Sequence, residues 1–287
     1  MINYVSKYQK SLILIRLIRL IQEFLGLNCH IIASSISFYT LFAIFPLILL
    51  ATSIIGFLLG TNDAEELADF SVNLAKFLPV SKEFISATIY GISIDRPLSG
   101  AFGVITLIWA SSSVFATIRK GINTTWKINK TRNLIQEKII DFTLVIIVSI
   151  LLIFGLLSGP ILSITIELIR YFLPDSQIFT QFFWTISSKI IFPILSFLTI
   201  LFLYTFLPNK KINIKQIIPY AFVSSIAFNL GNILFIEYLK ISTHYNLIYG
   251  SIAGILALLT WVYISSLILL FGSFLSYKYI QHKSSEN

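Results

Sequence analysis

The chain has 287 residues, of which 56% are hydrophobic and 12% charged, with a formal net charge of +8. Soluble domains typically carry about 25% charged residues, so this composition excludes an ordinary soluble fold and points to one integral membrane domain. A single cysteine, Cys29, excludes an intramolecular disulfide framework and a thiolate-rich metal site, and reads as a packing residue.

In chain order, charge-free stretches fall at 24–62, 97–118, 142–166, 190–209, 216–236 and 241–277. Each is long enough to cross a bilayer, which needs about 20 apolar residues. The expected fold is therefore all-α, with six transmembrane helices at roughly 31–60, 101–120, 139–159, 189–207, 216–238 and 250–277 inside a membrane domain covering 31–280. Residues 281–287 read as a cytoplasmic tail. Some 30 residues precede the first apolar run, which is longer than the core of a signal peptide, so the first span is expected to be retained.

Residues 1–30 form the segment before that span. Within it, 12–25 are mostly leucine and isoleucine, but Arg16, Arg19 and Glu23 recur at helical spacing. This pattern predicts an amphipathic helix lying in the membrane interface, as an anchor or as a docking surface. The loop at 61–100 repeats the theme: Asn62 or Asp63 as a cap, then Leu67, Phe70, Leu74 and Phe77 on one face, with a stop at Pro79.

Fifteen of the 21 lysines and arginines lie on the same side as the amino terminus, leaving Lys76, Lys82, Arg96, Arg170, Lys189 and Lys240 on the other. This positive-inside bias predicts cytoplasmic termini. The basic residues flank spans instead of gathering on one folded surface, which argues against nucleic acid as a partner.

Several polar or special residues fall within the spans or at their ends. Pro46 and Pro193 are expected to kink the first and fourth helices. Ile44, Phe45 and Pro46 match Ile191, Phe192 and Pro193, a faint sign of two inverted halves. Small residues at close-packing spacing, such as Gly56 with Gly60 and the run from Ala110 to Ala116, suit helix association in lipid. At the end of the second span, Arg119, Asn123 and Trp126 suit either interfacial anchoring or contact with an anionic headgroup. Asn229 and Asn232 in the fifth span serve either helix-to-helix hydrogen bonding or a substrate path. Tyr245, Tyr249 and Gly250 lead into the sixth span as a gate or as part of an aromatic belt.

Three segments carry a more specific signal: ASSISFYTLFAIFPLILL at 33–50, the stretch from Trp109 to Trp126, and YNLIYGSIAGILALLTWVYISSLILLFGS at 245–273. Together they resemble the YihY/BrkB family of bacterial inner-membrane proteins, also described as ribonuclease BN-like. The resemblance implies six helices, cytoplasmic termini and roles tied to virulence or the cell envelope. Members often carry an acid soon after the glycine matching Gly272, whereas Ser273 and Phe274 follow here.

The ribonuclease label would demand clustered metal ligands, but His30, His244 and His282 are scattered. No catalytic residues, metal or cofactor are expected. The expected function is a transporter or flippase-like handler of an amphipathic or lipid-linked envelope component; the alternative is a non-transporting scaffold for envelope proteins. Membrane lipids are the expected partners, and homo-oligomerisation stays open.

Overall fold

The computed structural model describes residues 15, 18–43, 96–128, 132–133, 135–148, 150, 177–210, 212–241 and 252–285. Among them every regular element is helical: α1 (Ile18–Gly26), α2 (Cys29–Ala43), α3 (Arg96–Thr125), α4 (135–148), α5 (Gln177–Phe206), α6 (Ile214–Ile241) and α7 (Ile252–Ser285). Pro46, Tyr245, Tyr249, Gly250 and most of the 61–100 loop lie outside the described residues, as does the repeat at Ile44–Pro46.

Two described helices are long and apolar enough to cross a membrane, along Ile214–Leu239 and Ala253–Gln281, and the bent pair α1–α2 makes a third if taken as one span. That is fewer than the six expected, because the remaining expected spans are described only in part or fall short of the length required. α5, for instance, contributes an apolar stretch at Ile190–Phe206.

The surface of α6 shows why these helices suit lipid. Ile214, Ile218, Phe222, Ile226, Leu230 and Leu234 recur every fourth residue and are all exposed, Leu234 to 70%. α4 presents a similar exposed row, Ile135, Ile139, Phe142 and Ile146, in steps of three and four. Such rows would be aggregation sites in water, whereas hydrocarbon solvates them. The inward face of α6 is smaller and more polar: Ile217, Ala221, Ser224, Phe228, Gly231 and Phe235 follow alternating steps of four and three. Phe235 stacks on Trp261 of α7, with ring centroids 5.2 Å apart. α6 packs between α5 and α7, and α7 also packs against α3.

Two helix ends are set by single residues with positive φ. α1 stops at Asn28 (φ 55), a residue type that tolerates the left-handed region, and the chain turns by 59° into α2. After α3, Lys127 (φ 52) closes a Schellman turn: its N–H bonds the Thr124 carbonyl at 3.0 Å, and the Ile128 N–H bonds the Asn123 carbonyl at 2.9 Å. Glycine is the usual residue there.

The buried core gathers at the Trp126 end of the bundle. Phe24, Cys29, Ile122, Trp126, Tyr204, Leu207, Ile217, Leu270 and Phe274 belong to one cluster drawn from α1, α2, α3, α5, α6 and α7. Phe24 meets Phe271 edge-on at 5.2 Å, which holds the α1 helix against the end of α7.

Candidate functional site

Helices in lipid gain little from burying apolar surface against one another, so polar ties and close packing hold them together. Besides the Ser37 hydroxyl, which donates to the Leu259 carbonyl of α7 at 2.7 Å, three polar groups in the described bundle bear on the candidate residues.

The first joins α3 to α4. Arg119 is nearly buried, and its guanidinium grips Asp141 with Nε to Oδ1 at 3.0 Å and Nη2 to Oδ2 at 3.2 Å. Its third nitrogen, Nη1, lies 2.8 Å from Glu137 Oε1. Asp141 is fully buried, while the Glu137 side chain keeps 20% of its exposure. The two acids sit one helical turn apart on α4, so both reach the same cation. Lys138 Nζ donates to Ser112 Oγ at 3.1 Å, adding a second α3–α4 tie.

The second group lies at the end of α3. The Trp126 indole N–H donates to Ser273 Oγ at 3.1 Å, and that hydroxyl lies 2.8 Å from Thr125 Oγ1. Thr125 donates in turn to the Ile122 carbonyl at 2.8 Å, which leaves Ser273 to donate to Thr125. Nearby, the Tyr204 phenol donates to the Leu269 carbonyl at 2.6 Å and accepts from Ser224 Oγ at 3.1 Å. Gly272 makes this approach possible, because a Cβ there would overlap both the Ser224 hydroxyl and the Tyr204 phenol.

The third group lies between α5 and α6. Asn229 Nδ2 donates to Ser196 Oγ at 2.8 Å and to the Ser225 carbonyl at 2.7 Å, and the Ser196 and Ser225 hydroxyls are 2.9 Å apart. Ser196 also donates to the Pro193 carbonyl at 2.9 Å. Asn229, Ser196 and Asn232 are all half-buried, and Asn232 makes no side-chain hydrogen bond among the described residues.

The sequence-derived residues are therefore distributed. Arg119 and Asn123 lie one turn apart, but Arg119 is occupied by two carboxylates and Asn123 Oδ1 accepts the Asn209 backbone N–H at 2.8 Å. Trp126 is 4% exposed and packs near Tyr277. Its amphipathic ring satisfies its N–H on Ser273 and needs no water. Asn229 is joined to the neighbouring helix, and Pro193 lies inside α5. Asp141 and Glu137 were not singled out from sequence, although their spacing of four on the edge of an apolar run was the available signal.

Among the described residues no group of three or more His, Cys, Asp and Glu side chains is placed to hold a metal ion. On α1, ahead of the first expected span, Glu23 pairs with Lys278 near the end of α7, and that hydrogen bond holds the Glu23 carboxyl below the ordinary value, against a smaller opposing effect of partial burial.

Comparison with known proteins places this geometry in a family. The family model for virulence factor BrkB matches residues 20–287, and the chain belongs to that family. It is 23% identical over 250 residues to YfkH of Bacillus subtilis (strain 168), whose name describes it as ribonuclease-like, covering 84% of this chain and 86% of that protein. It is 26% identical over 242 residues to a UPF0761 membrane protein of Vibrio vulnificus (strain YJ016), covering 84% and 74%. A UPF0761 membrane protein of Pseudoalteromonas atlantica is 28% identical over 214 residues, covering 74% and 69%. No solved structure matches. The chain is thus a membrane protein of the BrkB/UPF0761 family.

Proposed function

We propose that this chain is a six-span protein of the bacterial inner membrane, with both termini in the cytoplasm, that moves an amphipathic or lipid-linked envelope component across the bilayer. The observation that carries this reading is the cluster of half-buried Ser196 and Asn229 with buried Ser225, and half-buried Asn232 one turn further along α6. Polar groups at membrane depth are costly, and where they persist they commonly line a path or hold helices together. Here Ser196, Ser225 and Asn229 do the second, while Ser196, Asn229 and Asn232 remain partly accessible, which is what a polar headgroup would need in order to pass. In this reading the Arg119, Glu137 and Asp141 cluster lies toward the cytoplasm, where it helps to close the bundle.

The proposed activity is non-enzymatic. The ribonuclease-like name of YfkH sets the competing expectation, and sustained RNA cleavage by purified, metal-supplemented protein would establish it.

Reconstitution tests the transport reading. Proteoliposomes carrying a fluorescent phospholipid are exposed to a membrane-impermeant reductant, and the inner-leaflet probe should become accessible faster than in protein-free vesicles. Protein that is folded and inserted yet leaves that rate unchanged would move the assignment to a scaffold for envelope proteins.

A further inference from the structure

At the Trp126 end of the bundle, the connection after α3 lies against the connection between α5 and α6. Arg132 joins them, its Nη2 donating to the Pro208 carbonyl at 3.2 Å. The neighbouring Asn209 N–H donates to Asn123 Oδ1 at 2.8 Å, so the contact is held at two points. The other prong of the Arg132 guanidinium, Nη1, is shielded from solvent and meets no acceptor among the described residues. A buried donor on a permanent cation is expensive to leave unmatched, and it is strongest when the acceptor is itself charged.

The described acids at this end are engaged elsewhere. Glu23 pairs with Lys278, and Glu137 and Asp141 pair with Arg119. Lys120, Lys127 and Lys210 are exposed, and none forms an ion pair among the described residues. Lys210 lies two residues beyond Pro208, the acceptor of the occupied prong. The result is a half-used guanidinium fork whose contact partner, Pro208, is close in sequence to an exposed lysine, Lys210, that forms no ion pair among the described residues.

We propose that Arg132 anchors a binding site for a phosphate group, with Nη1 as the donor and Lys210 supplying further positive charge. The planar fork of arginine suits a phosphate, whose oxygens can take the free prong while the other stays on Pro208. Two sources share this chemistry, the headgroup of an anionic lipid in the adjacent leaflet and a soluble phosphate. The site does not rest on the transport reading, because binding is measured without transport.

The test uses the purified full chain in detergent, with binding followed by native mass spectrometry and by the thermal unfolding midpoint. The additions are phosphatidylglycerol, phosphatidylcholine, and inorganic phosphate at an ionic strength matched with chloride. If the site takes lipid, phosphatidylglycerol binds the wild type in preference to phosphatidylcholine, and Arg132→Gln weakens that binding about tenfold or more. If the source is soluble, inorganic phosphate raises the midpoint of the wild type above the chloride control, and Arg132→Gln loses the effect. Arg132→Lys, which keeps the charge without the fork, should bind more weakly than wild type, and it stands in if Arg132→Gln does not fold. The proposal is overturned if neither addition binds the wild type, or if both variants bind as the wild type does.

Discussion

Arg119 and Asp141 face each other across the α3–α4 contact with two parallel hydrogen bonds, 3.0 and 3.2 Å long, and the carboxylate has no solvent exposure. A buried pair of this kind gains little over an apolar pair of equal volume, but stranding one member leaves an uncompensated charge. Asp141→Ala should therefore lower the stability of the detergent-solubilised protein by about 3–5 kcal/mol. The double variant Arg119→Met/Asp141→Leu should recover most of that loss, since neither charge remains. Unfolding midpoints for the single and double variants decide the matter, and a double variant as unstable as the single would refute the argument. Glu137→Gln should cost less, because Glu137 is partly exposed and makes one contact where Asp141 makes two.

Gly272 lets α7 lie close to α6 and to the Tyr204 ring. A methyl group at that position would overlap Ser224 Oγ, so Gly272→Ala should destabilise by about 1–3 kcal/mol, as overpacking of a closed site commonly does. Removing the obstructing hydroxyl in Gly272→Ala/Ser224→Ala should restore part of the loss. Equal stability of Gly272→Ala and wild type in thermal unfolding would mean that the helices separate easily here.

Lys127 carries a cost that its sequence does not advertise. It occupies the left-handed position of the Schellman turn after α3, where a side chain is disfavoured by roughly 1 kcal/mol relative to glycine. Lys127→Gly should stabilise the protein by up to about 1 kcal/mol, less the charge it removes from the neighbourhood of Glu23. A lower unfolding midpoint in Lys127→Gly would show that its charge matters more than its backbone.

What was legible in the sequence follows from which forces act locally. Hydropathy and charge sorting find α6 and α7 because an apolar run of bilayer length is a property of neighbouring residues. Arg119 was visible as a cation at the end of such a run, whereas its partner Asp141 lies 22 residues away, across a connection that periodicity does not resolve. Trp126 shows the same limit. An indole next to lysines reads as an interfacial anchor, and only the arrival of Ser273 from the far end of the chain gives its N–H a partner inside the bundle. Asn229 was visible as a costly amide at membrane depth, but the choice of Ser196 as acceptor depends on how α5 and α6 cross.

The Glu23–Lys278 pair gives a pH dependence of known sign. Its hydrogen bond holds the Glu23 carboxyl below the ordinary value of 4.5 when folded. The folded state therefore releases this proton more readily than the unfolded chain, so the stabilisation is complete above about pH 5 and fades as the pH falls through the lowered value. Both side chains keep about a third of their exposure, so the gain is at most about 1 kcal/mol and is screened by salt. Comparing wild type with Lys278→Ala between pH 7 and pH 3 in low salt should show midpoints that differ at pH 7 and converge at the acid end. A constant difference across that range would assign the loss to the packing of the lysine stem beside Phe274.

Asn229 separates a structural tie from a transport path. Hydrogen bonds between membrane helices average about 0.6 kcal/mol, because the separated helices find other partners for the same groups. Asn229→Ala should therefore lower stability only slightly, although its amide reaches Ser196 at 2.8 Å and the Ser225 carbonyl at 2.7 Å. If the cluster lines the route of a polar headgroup, lipid movement in proteoliposomes should fall far more than stability does, and Asn232→Ala should behave alike, since Asn232 makes no side-chain hydrogen bond among the described residues. If lipid movement falls only in proportion to the folded fraction for both variants, these amides are ties between α5 and α6, and the path lies elsewhere.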